Sequence, residues 1–339
     1  MGIHSEEAMV LGRGTRLLAG ALIVACVALA GPSAPSGALF AGSLPVEAVR
    51  DVVPNRVMTW NICNPCEESN VDRAAEIATY APQVIGLQEA CVRDVERIRD
   101  YLENLYGLVY HVEYGMVLRH WGRCGGAPWR PGAFGQAVLS AAPMTDLVHV
   151  EYPDGGSEDR GYMAVTITVG GQPVRVFNTH LAQRRQEEVR ADQTGVLAAD
   201  VARHDRAIVL GDFNAVPDAP ELTGIWALAA DADPQCHPSP TGDCKPTTDW
   251  QSKFDYIFLR GIVPLEHRVH PTPYSDHHLL HTDLDTTSYS SSTSLLSLFR
   301  CGLDECSGLM ECQGRSSWTA LPSCAAVAGS DTGLGSLRW

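Results

Sequence analysis

Positive charge is scarce in this 339-residue chain: 25 lysines and arginines stand against 40 aspartates and glutamates, for a formal net charge of -15. That balance, with no polybasic segment, excludes a protein that coats nucleic acid through sheer positive charge. It leaves open chemistry on anionic substrates. A divalent cation held by carboxylates can supply the positive charge, and such a site itself adds acidic residues. The longest apolar run, Leu17 to Ala30, is short for a membrane span, and no repeat at solenoid spacing is visible. What remains is a globular composition, 45% hydrophobic and 19% charged, long enough for one large domain or two ordinary ones.

The N-terminus reads as an export signal over residues 1–30. Arg13 and Arg16 precede the apolar run, Ala28-Leu29-Ala30 has the small-x-small form of a cleavage site, and Pro32 and Pro35 follow. Glu6 and Glu7 are awkward there, and a start at Met9 would leave only positive charges ahead of the run. An uncleaved membrane anchor, or lipidation at Cys26, are the alternatives to secretion. Cysteine usage agrees with export. Apart from Cys26, ten remain: Cys63, Cys66, Cys91, Cys124, Cys236, Cys244, Cys301, Cys306, Cys312 and Cys324. An even number in an exported chain points to disulfides, with connectivity not deducible from sequence. Cys63-Asn64-Pro65-Cys66 also reads as half a zinc site or a redox pair. No second half at zinc spacing follows, so a disulfide is the preferred reading.

Residues 31–53 form a Pro/Gly/Ala-rich linker. Over 54–286, strand-like and helical runs alternate. Strands are expected at 56–60, 84–87, 136–140, 207–210, 254–259 and 279–284. Met163 to Val169 and Val174 to Phe177 flank Gly170-Gly171, a hairpin signal. Helices are expected at 71–80, at 92–105 with Gly107 closing it, and at about 184–204. Hairpins mixed with strand-helix-strand units point to α/β layers with mixed sheets. Residues 287–339 open on serines and carry four cysteines without periodicity. They read as a disordered or disulfide-stapled tail.

Five strand ends carry polar residues where a packed core would not want them: Thr59-Trp60-Asn61, Leu87-Gln88-Glu89, Asn178-Thr179-His180, Gly211-Asp212-Phe213-Asn214 and Ser275-Asp276-His277. A rigid strand that delivers a carboxylate, amide or imidazole at its end is a common way to build a reaction site. Each segment alone also has a plain structural reading. Asn61 and Glu89 suit caps, His180 a hydrogen-bonded core imidazole, Asp212 and Asn214 a turn, and Asp276-His277 a surface loop.

Together with Phe254-Asp255-Tyr256-Ile257, and in this order, these segments resemble the signature of the endonuclease/exonuclease/phosphatase superfamily, over about Arg56 to Asp285. The resemblance implies a four-layer α/β/β/α sandwich of two mixed sheets flanked by helices, with the site at the sheet edges. It implies hydrolysis of phosphate esters, which needs an activated water, an electropositive clamp and help for the leaving group. On that likeness Glu89 is the main metal-ligating carboxylate, with Asn61 and Asp276 contributing. The metal is Mg2+, with Mn2+ or Ca2+ as alternatives. Asp212 orients or deprotonates the water, and Asn214 reaches the phosphate. His180 hydrogen-bonds the scissile phosphate, and Asp255 holds the ring of His277, a general acid/base or phosphate clamp. Acid and base are left unassigned between the two histidines.

Arg160, Arg190 and Gln136 are substrate-contact candidates of lower rank, as is Gln193. Arg190 and Gln193 also read as a solvated helix face. Gln136 stands where relatives often carry Asn. The segment Arg119 to Arg130 interleaves arginines with Trp121 and Trp129, which suits base stacking or a lipid interface, or simply a loop pinned through Cys124. The leading expectation is a secreted, monomeric nuclease with nucleic acid or another phosphodiester as its partner and no stable protein partner. A sphingomyelinase, phospholipase C-type or phosphatase activity is the alternative. A non-catalytic binding or toxin component is the third reading.

Overall fold

The apolar runs form strands and the 3.6-residue stripes form helices. The computed structural model describes residues 50–285, apart from 65, 67, 68, 154, 155, 184 and 240–242. The export signal, Cys26, nearly all of the 31–53 linker and the 287–339 tail with its four cysteines lie outside the described residues. The chain begins with β1 (Val53–Asn61), α1 (Asn70–Tyr80), β2 (Pro82–Cys91), α2 (Val92–Tyr106) and β3 (His111–Arg119). A short helix α3 (Trp121–Cys124) and the small strands β4 (Gly126–Ala127) and β5 (Arg130–Pro131) precede β6 (Ala133–Ser140). β7 (Thr145–Glu151), β8 (Gly161–Val169), β9 (Gln172–His180), α4 (Glu187–Val201) and β10 (Ala207–Asp212) follow. A 3-10 turn at Pro220–Leu222, α5 (Thr223–Trp226) and β11 (Ala230–Asp231) lead to β12 (Asp255–Arg260), β13 (Val263–His270) and β14 (Leu279–Asp285).

Two six-stranded sheets result, ordered β13-β14-β1-β2-β6-β3 and β11-β12-β10-β9-β8-β7. Both are mixed. In the first, β1 and β2 run parallel across the α1 connection; in the second, β9 and β10 run parallel across α4. The sheets face each other over Val57, Val84, Val138, Val165, Val176, Ile208, Leu210, Ile257 and Leu280, all fully buried. Burying a side chain of this size contributes about 1.5–3 kcal/mol. Helices α1 and α2 cover the outer face of the first sheet through Ile77, Val95, Ile98 and Leu102. Helices α4 and α5 cover the second through Leu197, Val201 and Ile225. This is the four-layer sandwich that the family resemblance implied.

Local chemistry explains the turns. Gly107 closes α2 in the left-handed region at φ 72°, its N–H donating to Glu103 O. Gly170 and Gly171, at φ 56° and 77°, make the two-residue turn between β8 and β9, which needs positive φ at both positions. Disulfides join Cys63 to Cys66, Cys91 to Cys124 and Cys236 to Cys244.

The strand directions place the site. Parallel strands bring β1, β2, β9 and β10 to one edge by their C-terminal ends, carrying Asn61, Glu89, His180 and Asp212. β12 is antiparallel to β10, so its first residue lies there too, with Asp255 opposite Asp212. β14 is antiparallel to β1 and is entered directly from Asp276-His277 at the same edge.

Candidate active site

Two buried amides and one glycine bring the sheets together beneath this edge. Asn178 on β9 crosses to the first sheet and donates from Nδ2 to the carbonyls of Leu87 and Ala137, at 3.0 and 2.8 Å. Gln88 answers from the other side, donating to Asn178 Oδ1 at 2.7 Å and Thr59 Oγ1 at 3.0 Å. Gly86 lets them meet, because a Cβ there would stand 2.0 Å from Leu210 Cδ1 and 3.1 Å from Asn178. Two residues beyond Thr59, Asn178 and Leu210 on their strands, Asn61, His180 and Asp212 come together at the sheet edge.

Asp212 is at the centre and is 1% exposed. Its Oδ1 accepts the Asn214 N–H at 2.8 Å. Its Oδ2 accepts from Asn61 Nδ2 at 3.1 Å and from Asn214 Nδ2 at 3.3 Å. His180 Nε2 lies 3.3 Å and His277 Nε2 3.7 Å from the same oxygen. Asn214 Nδ2 is also 3.1 Å from His180 Nε2. Asn214 holds this position in left-handed backbone at φ 49°, and Gly211 in β10 lets β9 approach so closely that a Cβ there would meet Thr179 O at 1.9 Å. Strained backbone of this kind persists where the surroundings over-determine it.

His277 is braced from behind. Its Nδ1 lies 3.1 and 2.9 Å from the two oxygens of Asp255. Asp255 Oδ2 also accepts from Thr247 Oγ1 at 2.8 Å, and Thr247 Oγ1 in turn accepts the N–H groups of Phe254 and Asp255. Burial works to lower the His277 pKa, but Asp255 and Asp212 outweigh it and push it up to about 10. Burial would raise Asp212, yet His277 and His180 hold it below the usual carboxylate range. Asp255 is pushed up by burial, with Asp212 adding to the effect, so the proton between Asp255 and His277 belongs to the pair. At neutral pH the centre therefore presents an ionised Asp212 beside the proton held by the Asp255–His277 pair.

Glu89 sits apart from this network. The β2–β6 pairing shifts register between Leu87 and Ala90, and Glu89 on this bulge has φ 51°. A bulge re-aims a side chain, and here it turns Glu89 out of the ladder to 4.0 Å from His180 Nε2. Among the described residues its carboxylate accepts no hydrogen bond. A carboxylate left open at a cleft edge suits a hard cation, which takes one or two such oxygens and keeps several waters. The buried set Asp212, Asp255 and His277 is also close enough to share an ion, but its atoms already satisfy one another. Asn61 likewise has both amide groups engaged, since its Oδ1 accepts the Cys63 N–H at 3.0 Å. Asp276 lies toward the Cys63 and Cys66 sulfurs.

Arg160 is 3% exposed, ion-pairs Glu158 together with Arg123, and lines a small cavity with Gln136 and His180. Gln136 donates to Gly161 O at 3.0 Å. Arg190 and Gln193 are buried rather than on a solvated face. Arg190 pairs with Glu221 at 2.8 Å and binds the carbonyls of Ala182 and Gln183, while Gln193 accepts the Ala182 N–H. Both brace the segment after His180. Residues outside the motifs also matter: Thr247, Glu158, and Trp250, whose ring stands edge-on 5.4 Å from His277. Nothing in their sequence surroundings marks them, because each is placed by a loop rather than by a strand end.

The model of the Endonuclease/Exonuclease/phosphatase family matches residues 58–277, and the chain belongs to this family. Solved structures agree in fold. An endonuclease/exonuclease/phosphatase from Beutenbergia cavernae DSM 12333 superposes with TM-score 0.55 at 23% identity, over 68% of this chain and 70% of that one. A family protein from Leptotrichia buccalis C-1013-b gives 0.56 at 16% identity, over 68% and 99%. D. rerio TDP2 complexed with single strand DNA product gives 0.54 at 18% identity, over 68% and 98%. No protein of curated function matches the sequence.

Proposed function

We infer that the protein is a secreted, divalent-metal-dependent hydrolase of phosphodiester bonds in nucleic acid. One observation carries the reading. An ionised, buried Asp212 is ringed by His180, Asn214 and an Asp255-braced His277, with the open carboxylate of Glu89 4.0 Å from His180 Nε2. The chemistry of the donor set fits Mg2+, held by Glu89 with Asn61 and Asp276 as further candidates. When bound, the metal polarises a phosphoryl oxygen and offsets charge on the leaving oxygen. The chain's own groups do the rest. Asp212 orients the attacking water and accepts its proton. His277 donates to a phosphoryl oxygen, and His180, beside Asn214, contacts the scissile phosphate. Asp255, on Nδ1, holds the His277 ring so that Nε2 faces the reaction centre.

The TDP2 neighbour with its DNA product supports nucleic acid as substrate, and three disulfides among the described residues support export. A phospholipase C-type activity draws support from Trp129 and Trp121, 87% and 57% exposed on the segment between β3 and β6. A panel of plasmid DNA, single-stranded DNA, RNA, sphingomyelin vesicles and inositol phosphates, each with and without Mg2+, separates the readings. Cleavage of DNA or RNA is expected. Activity confined to sphingomyelin or inositol phosphates would overturn the nucleic-acid assignment.

A further inference from the structure

Beside the reaction centre, the loop after β1 holds another set of metal-ligating atoms. The Sγ atoms of Cys63 and Cys66 and a carboxylate oxygen of Asp276 all lie within 4.8 Å of one another. The two cysteines are joined as a disulfide, with Cα atoms 5.2 Å apart, and in that form neither sulfur ligates as a thiolate.

Hydrogen bonds besides the disulfide also hold the backbone at Ile62, Cys63 and Cys66. Arg73 of α1, 1% exposed, donates from Nη2 to the carbonyls of Ile62, Cys63 and Cys66 at 2.7, 3.2 and 3.3 Å. The Cys66 N–H donates to Cys63 O at 2.8 Å, and the Cys63 N–H donates to Asn61 Oδ1 at 3.0 Å. Asp276 is fixed separately. Ser275 Oγ donates to Asn61 O at 2.7 Å, and the Asp249 N–H donates to Asp276 O at 3.0 Å. Opening the disulfide therefore leaves two thiols and a carboxylate close together on a backbone held by other bonds.

Two cysteines separated by two residues are a usual way for a loop to present sulfur to zinc, and a carboxylate is a familiar further ligand. Thiolates select a thiophilic cation, whereas Mg2+ wants oxygen donors. We propose that the dithiol form of this loop is a metal site in which Cys63, Cys66 and Asp276 bind a thiophilic divalent cation such as Zn2+. A dithiol reductant opens it: two electrons and two protons convert the disulfide to two thiols, and the reductant leaves as its own disulfide. The cation then releases the two thiol protons to solvent and takes the two sulfurs and Asp276, with water completing four ligands. The site shares Asp276 with the candidate Mg2+ ligands of the proposed reaction, so occupation by the thiophilic cation would draw that carboxylate away from it.

Co2+ is a direct probe, because thiolate bound to it gives a charge-transfer band in the near ultraviolet. The full chain is reduced with dithiothreitol, freed of it anaerobically and titrated with Co2+, with far-ultraviolet circular dichroism reporting the fold. Reduced protein should show a band that saturates at a single equivalent above the Cys63→Ser/Cys66→Ser background and is bleached by Zn2+. Oxidised protein should show none. Asp276→Asn keeps both sulfurs and should weaken Co2+ binding by at least about tenfold, the scale on which even outer contacts shift metal affinity. The proposal is overturned if reduced protein shows no band beyond the Cys63→Ser/Cys66→Ser background. It is equally overturned if Asp276→Asn binds Co2+ as tightly as the parent, or if reduction unfolds the chain.

Discussion

Nδ1 of His277 lies 2.9 Å from Oδ2 of Asp255, a residue 22 positions earlier in the chain. The two meet because β12 begins with Asp255 and β14 is entered just after His277, at the same edge of the sandwich. If Asp255 acts through His277, Asp255→Asn should leave the denaturant midpoint near that of the parent. Turnover should fall about 100-fold or more while KM moves little, since general acid–base groups contribute on this scale. Combining it with His277→Ala should cost little beyond His277→Ala alone, because residues acting as one unit are not additive. Additive losses in turnover would mean that Asp255 merely caps its strand.

Protonation of His277 gives a pH signature of known sign. Its folded pKa is raised to about 10, above an unfolded value of about 6.5. Its contribution to stability is therefore complete below the unfolded value and is lost as pH rises through the folded one. Urea midpoints of the parent should fall between about pH 6.5 and 10 more steeply than those of His277→Gln. Equal slopes would show that the Asp255 and Asp212 carboxylates do not hold that proton.

Gly86 tests how the sheets are joined. Gly86→Ala places a methyl group 2.0 Å from Leu210 Cδ1 and 3.1 Å from Asn178. Overpacking of this kind costs about 1–3 kcal/mol, so the denaturant midpoint should drop. Turnover should drop as well, because Asn178 and Gln88 set the spacing beneath Asp212. An unchanged midpoint would show that the sheets have room there.

The strands legible in sequence are those that bury both faces or end in a motif, such as β2, β9 and β10. Their apolar runs are continuous, and their last residues are conspicuously polar. β3, β7 and β13 escaped notice for a common reason: each is the edge strand of its sheet. β7 is exposed along almost its whole length, and β13 carries Pro264. An edge strand buries little, so its apolar signal is weak, and proline is tolerated there. The site motifs were legible because strand ends carried them. Thr247 and Trp250 were not, since they lie on the loop before β12 and reach His277 and Asp255 only through the fold. Nor could the pattern of residues show that Arg190 pairs with Glu221, which requires the 3-10 turn to pack on α4.

Glu89, turned out of its strand by a bulge, is proposed to hold the metal that makes this edge a phosphodiesterase site. Hydrolysis of single-stranded DNA and RNA by the protein in Mg2+, in EDTA, and by Glu89→Gln tests this role. EDTA should abolish cleavage and Mg2+ should restore it. Glu89→Gln, nearly the same shape without the charge, should lower cleavage by about 100-fold or more with the urea midpoint unchanged. Full cleavage in EDTA, or a Glu89→Gln variant as active as its parent, would contradict the account.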